Sequence, residues 1–142
     1  MKKFILPIIA LTFVSILFTS CGQAAKAEKT VEQFYDMLKS EDYSKTESLL
    51  DEDALAINPI EDWVTLLENK ESLGTLESFT KDMGFNTSIH DGITEVVISY
   101  TCDYSGTSVY EQFKLVDRGS GFKIYTYEYN LNESSLSDLS VN

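Results

Sequence analysis

The chain has 142 residues, of which 23 are acidic and 11 basic, giving a formal net charge of −12. That balance repels nucleic acid and anionic lipid head groups, and no basic cluster overcomes the repulsion, so a polynucleotide-binding role is excluded. With only two cysteines and one histidine there is no zinc-ligand set, and no cofactor is expected.

Lys2 and Lys3 open the chain, an apolar run from Phe4 to Phe18 follows, and Thr19 and Ser20 lead to Cys21. The run is shorter than the about 20 apolar residues a spanning helix needs, and it lacks a basic stop-transfer flank. It therefore reads as an export leader over 1–20. A cysteine directly after small residues at the end of such a run resembles the bacterial lipobox. The resemblance implies cleavage before Cys21, acylation of its thiol with palmitate-type chains, and a protein held extracytoplasmically at the cell envelope, facing the periplasm where two membranes exist. Each buried CH₂ contributes about 0.8 kcal/mol, so two or three chains make a lasting anchor. The mature chain keeps 122 residues, enough for one domain, with 9 basic against 23 acidic side chains. Cys102 is then the only free thiol, and stability must come from packing.

Residues 21–26 read as a lipidated spacer. Val31, Phe34, Tyr35 and Leu38 fall at i, i+3, i+4, i+7, the stripe of an amphipathic helix over about 25–39. A short helix is expected over Tyr43 to Leu50. The acidic stretch 51–58 begins like a calcium loop at Asp51 and Asp53, but Leu55 and Ala56 break the ligand pattern, leaving a solvated helix end. Asn58-Pro59 predicts a further helix, with Asn58 as cap, Ile60, Trp63, Val64 and Leu67 as apolar face, and Gly74 as its end.

The period then switches from helical to alternating. Leu76 to Thr80 predicts a strand with an irregular continuation past Gly84. Glu95–Tyr104, Ser108–Asp117 and Phe122–Asn130 predict three more, joined at Ser105-Gly106 and Gly119-Ser120-Gly121. Residues 132–142 are polar, serine-rich and aperiodic, and read as a flexible tail. Helices first and strands after, with turn-length links, define an α+β class: a long N-terminal helix and two short ones packed on a curved antiparallel sheet.

The stretches AEKTVEQFYDMLKSEDYSKTESLL at 27–50 and SVYEQFKLVDRGSGFKIYTYEYN at 108–130, with Trp63 followed by SLG at 72–74, carry a resemblance. They resemble the nuclear transport factor 2-like cone, the cystatin-like α+β roll shared with ketosteroid isomerases, and within it an uncharacterised lipoprotein group. The resemblance covers about 25–131, with the domain itself at 27–131, and implies a fold whose members catalyse, bind or assemble.

Glu111 alternates with Val109, Phe113 and Leu115 on the apolar side of its strand. It is expected near the strand end, reaching solvent or an arginine. Sunk in an apolar cone, it would instead be an acid/base group for an isomerase, dehydratase or hydrolase. His90 is expected as a solvated loop residue. Tyr125, Tyr127 and Tyr129 are expected to share one face of the last strand. Tyr100, Glu111, Phe113, Tyr125 and Tyr127 form the candidate ligand-binding set. The expected partners are the membrane through Cys21, a small apolar ligand, peptide or envelope protein, and a second copy in a homodimer. The favoured role is a non-catalytic binding or assembly module, with the Glu111 enzyme as alternative.

Overall fold

The computed structural model describes residues 5–131, with side chains from Gly22 onward. The side chains of the leader at 1–20, the thiol of Cys21 and the tail at 132–142 lie outside the described residues. Among those described, no helix is long and apolar enough to cross a membrane.

Helix α1 spans Ile5–Ser40. Gly22 to Lys26, read above as a spacer, is helical, and Ala24 is already buried. Ala27, Val31, Phe34 and Tyr35 continue the buried stripe, as the 3.6-residue period requires. The helix stops at Glu41, whose φ of 53° leaves the helical region while its N–H still donates to the Leu38 carbonyl. The expected second helix resolves into a 3₁₀ turn, Tyr43–Lys45, and one turn of α-helix, α2, over Thr46–Leu49. Asp42 caps the 3₁₀ turn by accepting from the Ser44 N–H.

The stretch at 51–58 is no solvated helix end. It forms α3, Glu52–Ile57, and Asp51 is buried at its N-cap, accepting from the Asp53 N–H at 3.1 Å. The reason lies far along the chain. Arg118 donates from Nε and Nη2 to both Asp51 carboxylate oxygens, at 3.0 and 3.1 Å, and from Nη2 to Asp53 at 2.6 Å. A planar guanidinium fork matched to a carboxylate is the strongest form of such a pair, and it draws Asp51 inward. Helix α4 spans Ile60–Lys70, capped at Pro59, one residue later than expected. A 3₁₀ turn over Glu71–Leu73 ends at Gly74, whose φ is 95°. A Cβ there would sit 2.2 Å from the Ser105 hydroxyl, which itself accepts from the Thr75 N–H. Only glycine fits.

Strands β1 (Leu76–His90), β2 (Ile93–Tyr104), β3 (Thr107–Asp117) and β4 (Phe122–Asn130) form an antiparallel meander in the order β1-β2-β3-β4. β1 does continue past Gly84, through a slip in register between Lys81 and Phe85. A slip also lies between Leu76 and Ser78, and one sits between Lys114 and Leu115, opposite Tyr125. One extra residue reverses the alternation beyond it. Hence Phe122, Ile124 and Tyr127 point inward. Tyr125 is only half-buried, and its ring lies 5.4 Å from the Lys114 ammonium. The three tyrosines do not share one face, contrary to the simple alternation. α1 lies across the inner face of the sheet, and the α2–α3 link clasps β4, where the Asp51 N–H donates to the Ile124 carbonyl at 2.9 Å.

The space between α1 and the sheet is filled with rings. Phe34 meets Phe113 and Tyr127 at 5.1 and 4.9 Å between centroids, and Tyr35 stacks on Phe79 at 4.3 Å. Tyr100 completes the cluster edge-on to Phe113 at 5.9 Å. Such aromatic pairs each add about 0.5–1.5 kcal/mol beyond the area they bury.

Candidate functional site

A charged pair sits inside this aromatic interior. Alternation along β3 turns Glu111 inward between Val109 and Phe113, and it is fully buried. It meets no solvent and no arginine, so the expected exposed strand-end carboxylate is corrected. Its partner is Lys70, the last residue of α4, itself 1 % exposed. Tyr104 Oη donates to Glu111 Oε1 at 2.9 Å and Tyr35 Oη to Oε2 at 3.1 Å. The Lys70 ammonium also donates to Tyr127 Oη, and the Cys102 thiol donates to Tyr35 Oη at 3.2 Å. Tyr104 and Tyr129 turn their rings to the ammonium, with centroids 5.2 and 4.6 Å from Nζ, while Tyr127 meets it with its hydroxyl. Lys70 is thus held by one carboxylate, one phenol oxygen and two aromatic rings, which together offset the desolvation of its charge.

Of the candidate ligand-binding residues, Tyr100, Glu111, Phe113 and Tyr127 converge in this interior. Tyr125 stays outside, for the reason given by the β4 slip. His90 is exposed, as expected, but it is the last residue of β1 and not part of a loop. Lys70 was not singled out from the sequence, although a signal existed. Trp63, Leu67 and Lys70 stand at i, i+4, i+7 of α4, so a cation occupies a position on the apolar face. Among the described residues no group of His, Cys, Asp and Glu could hold a metal ion.

Burial, first, and the Glu111 charge, second, push the hydroxyls of Tyr35, Tyr104 and Tyr127 well above 10.0. The same two causes push the Cys102 thiol up to about 12. Burial lowers Lys70 from 10.5, and Glu111 partly restores it. These directions set a pH dependence. The unfolded chain releases the Cys102 proton near pH 9.0 and the tyrosine protons near 10.0, while the folded chain keeps them. The unfolded state then binds fewer protons, so stability falls as pH rises through that range. Lys70 acts in the opposite sense: below 10.5 its folded form releases the proton first, which favours folding as pH rises. Three tyrosines and a thiol outweigh one lysine. The midpoint of urea unfolding is therefore expected to drop as pH is raised past 10; a midpoint that climbs instead would mean the tyrosine hydroxyls are not confined as described.

Two clefts open near the site. One, of about 210 Å³, lies between the end of α1, α4 and the β2–β3 turn, with Lys70 and Tyr104 in its lining. Tyr43 stands on its rim and donates to Glu71 at 2.9 Å. The other, of about 400 Å³, runs between α1 and α2, with Gln33, Asp36, Met37, Asp42 and Lys45 along it. No protein-family model matches the chain, and a search of curated proteins found no match either.

Proposed function

We propose that this chain is a lipid-anchored extracytoplasmic protein whose folded part is a nuclear transport factor 2-like roll acting by binding rather than by catalysis. The order of elements supports the family reading: a long helix, short helices, then a four-stranded meander with three register slips. The leader and Cys21 support the address. The observation that carries the non-catalytic role is the state of Glu111. Glu111 has no exposed surface, and Lys70, Tyr104 and Tyr35 already hold both its oxygens, so no substrate reaches it to be deprotonated. Phe34, Tyr35, Phe79, Tyr100, Phe113 and Tyr127 fill the space where a small apolar ligand would lie. That favours recognition at the surface clefts, of a peptide or an envelope protein.

One observation favours the enzyme reading. Lys70 and Tyr104 border both Glu111 and the smaller cleft, so a ligand there would touch the charged cluster's edge.

Two experiments separate these statements. Cys21→Ala is expected to move the protein from the membrane to the soluble fraction, and persistent membrane association would overturn the anchor. The Lys70→Met/Glu111→Leu variant, neutral inside, is expected to retain the phenotype that the wild-type chain supplies to its host. If a folded, anchored double variant loses that phenotype, Glu111 is chemical and the enzyme reading takes its place.

A further inference from the structure

We propose that the end of the β1–β2 hairpin, with Met83, Phe85 and Ile89, is a membrane-contact surface that seats the domain on the bilayer holding its lipid. The inference rests on the anchor reading of Cys21 and adds an orientation to it. Three contacts fix the direction of α1 over the sheet. Phe34 packs on Tyr127, Thr30 donates to the Phe122 carbonyl at 3.1 Å, and Glu28 pairs with Lys81. Moving toward Gly22, the helix therefore heads for the end of the sheet where β1 turns into β2 and β3 into β4. The β1–β2 hairpin continues about 16 Å beyond the Phe85–Ile98 pair, to Ile93.

That protruding arm is where the chain leaves apolar bulk uncovered. Met83 is fully exposed at the register slip, and Phe85 and Ile89 are 42 % and 66 % exposed. From Met83 to Ile89 seven consecutive residues carry no charge, in a protein where 24 % of residues are charged. Phe85 and Ile89 share the side of the hairpin on which their partners Ile98 and Thr94 lie, the side that faces α1 nearer the core. Charges of both signs border the stretch: Asp82 precedes Met83, Asp91 follows His90, and Glu95 pairs with Ser88 across the hairpin. Lys26 and Lys29 are exposed on the first turns after Cys21, and the Lys81 ammonium lies 5.9 Å from the Phe85 ring. An uncharged apolar stretch at the end of the sheet toward which the acylated terminus runs suits the boundary between acyl chains and head groups. The acidic balance of the whole chain opposes electrostatic adsorption, so the contact must be carried by the apolar side chains. The expected surface is zwitterionic lipid.

The test uses the full lipidated chain in phosphatidylethanolamine–phosphatidylcholine vesicles. Acylation blocks the Cys21 sulfur, and Cys102 is buried with no exposed surface. Met83→Cys therefore supplies the single reactive thiol for an environment-sensitive fluorophore. Its emission is expected to shift to the blue and to be lost largely to a quencher carried on the lipid acyl chains. The same label at Thr107→Cys, on the opposite end of the sheet, is expected to stay in water. A vesicle-bound chain whose residue-83 label behaves like that at residue 107 overturns the docking while leaving the anchor intact. A chain that floats free of the vesicles overturns the anchor and the docking with it.

Discussion

Lys70→Met is expected to destabilise the domain by about 3–5 kcal/mol, a large part of the total stability of a chain this size. Methionine fills nearly the same volume, so packing is not what is lost. The cost comes from Glu111, which stays buried with two tyrosine donors and no cation. Glu111→Leu leaves the ammonium without a counter-charge, between the rings of Tyr104 and Tyr129 and the Tyr127 hydroxyl, and should cost a similar amount. The double change removes both charges together and should recover most of the loss, because a buried ion pair contributes little over an apolar pair of the same shape. Urea unfolding of the two single variants and the double variant measures the coupling directly. Additive losses would mean that Lys70 and Glu111 are not each other's principal partners.

Phe34→Ala should cost about 3–5 kcal/mol by a different route. Phe34 is 1 % exposed and touches Tyr35, Phe113 and Tyr127 at once. Its removal opens a void between α1 and the sheet that the meander, bridged by α1 and clasped at β4, has little freedom to close. The void should stay apolar and accept a small aromatic such as benzene, whose addition would raise the melting temperature of the variant and leave the wild type unchanged. Absence of that selective rise would show that α1 settles onto the sheet.

Much of this architecture was legible in the residues because it rests on periodicity. The i, i+3, i+4, i+7 stripe of Val31, Phe34, Tyr35 and Leu38 located α1, and the alternation from Val96 to Tyr104 located β2. What escaped depends on partners distant in the chain. Asp51 reads as one carboxylate in an acidic run until Arg118, 67 residues later, draws it inside. Glu111 looks exposed near a strand end until Lys70 arrives from α4, 41 residues earlier. The split of Tyr125 from Tyr127 depends on a single-residue slip against β3, which local alternation does not encode. The candidate site suffered most, since an internal ion pair is defined by two long-range choices at once.

The meander also sets the order in which the chain folds as it emerges. Every strand pairs with the one made just before it, so the sheet zips up in the order in which the chain emerges, with only short loops to close at each step. The first helix has the opposite fate. It appears earliest and completes its cover last, because Phe113 and Tyr127 belong to the final hairpin. Until then Tyr35 has Phe79 and Tyr100 to pack on but Phe34 lacks its sheet partners, and that interval is when the chain most needs an escort.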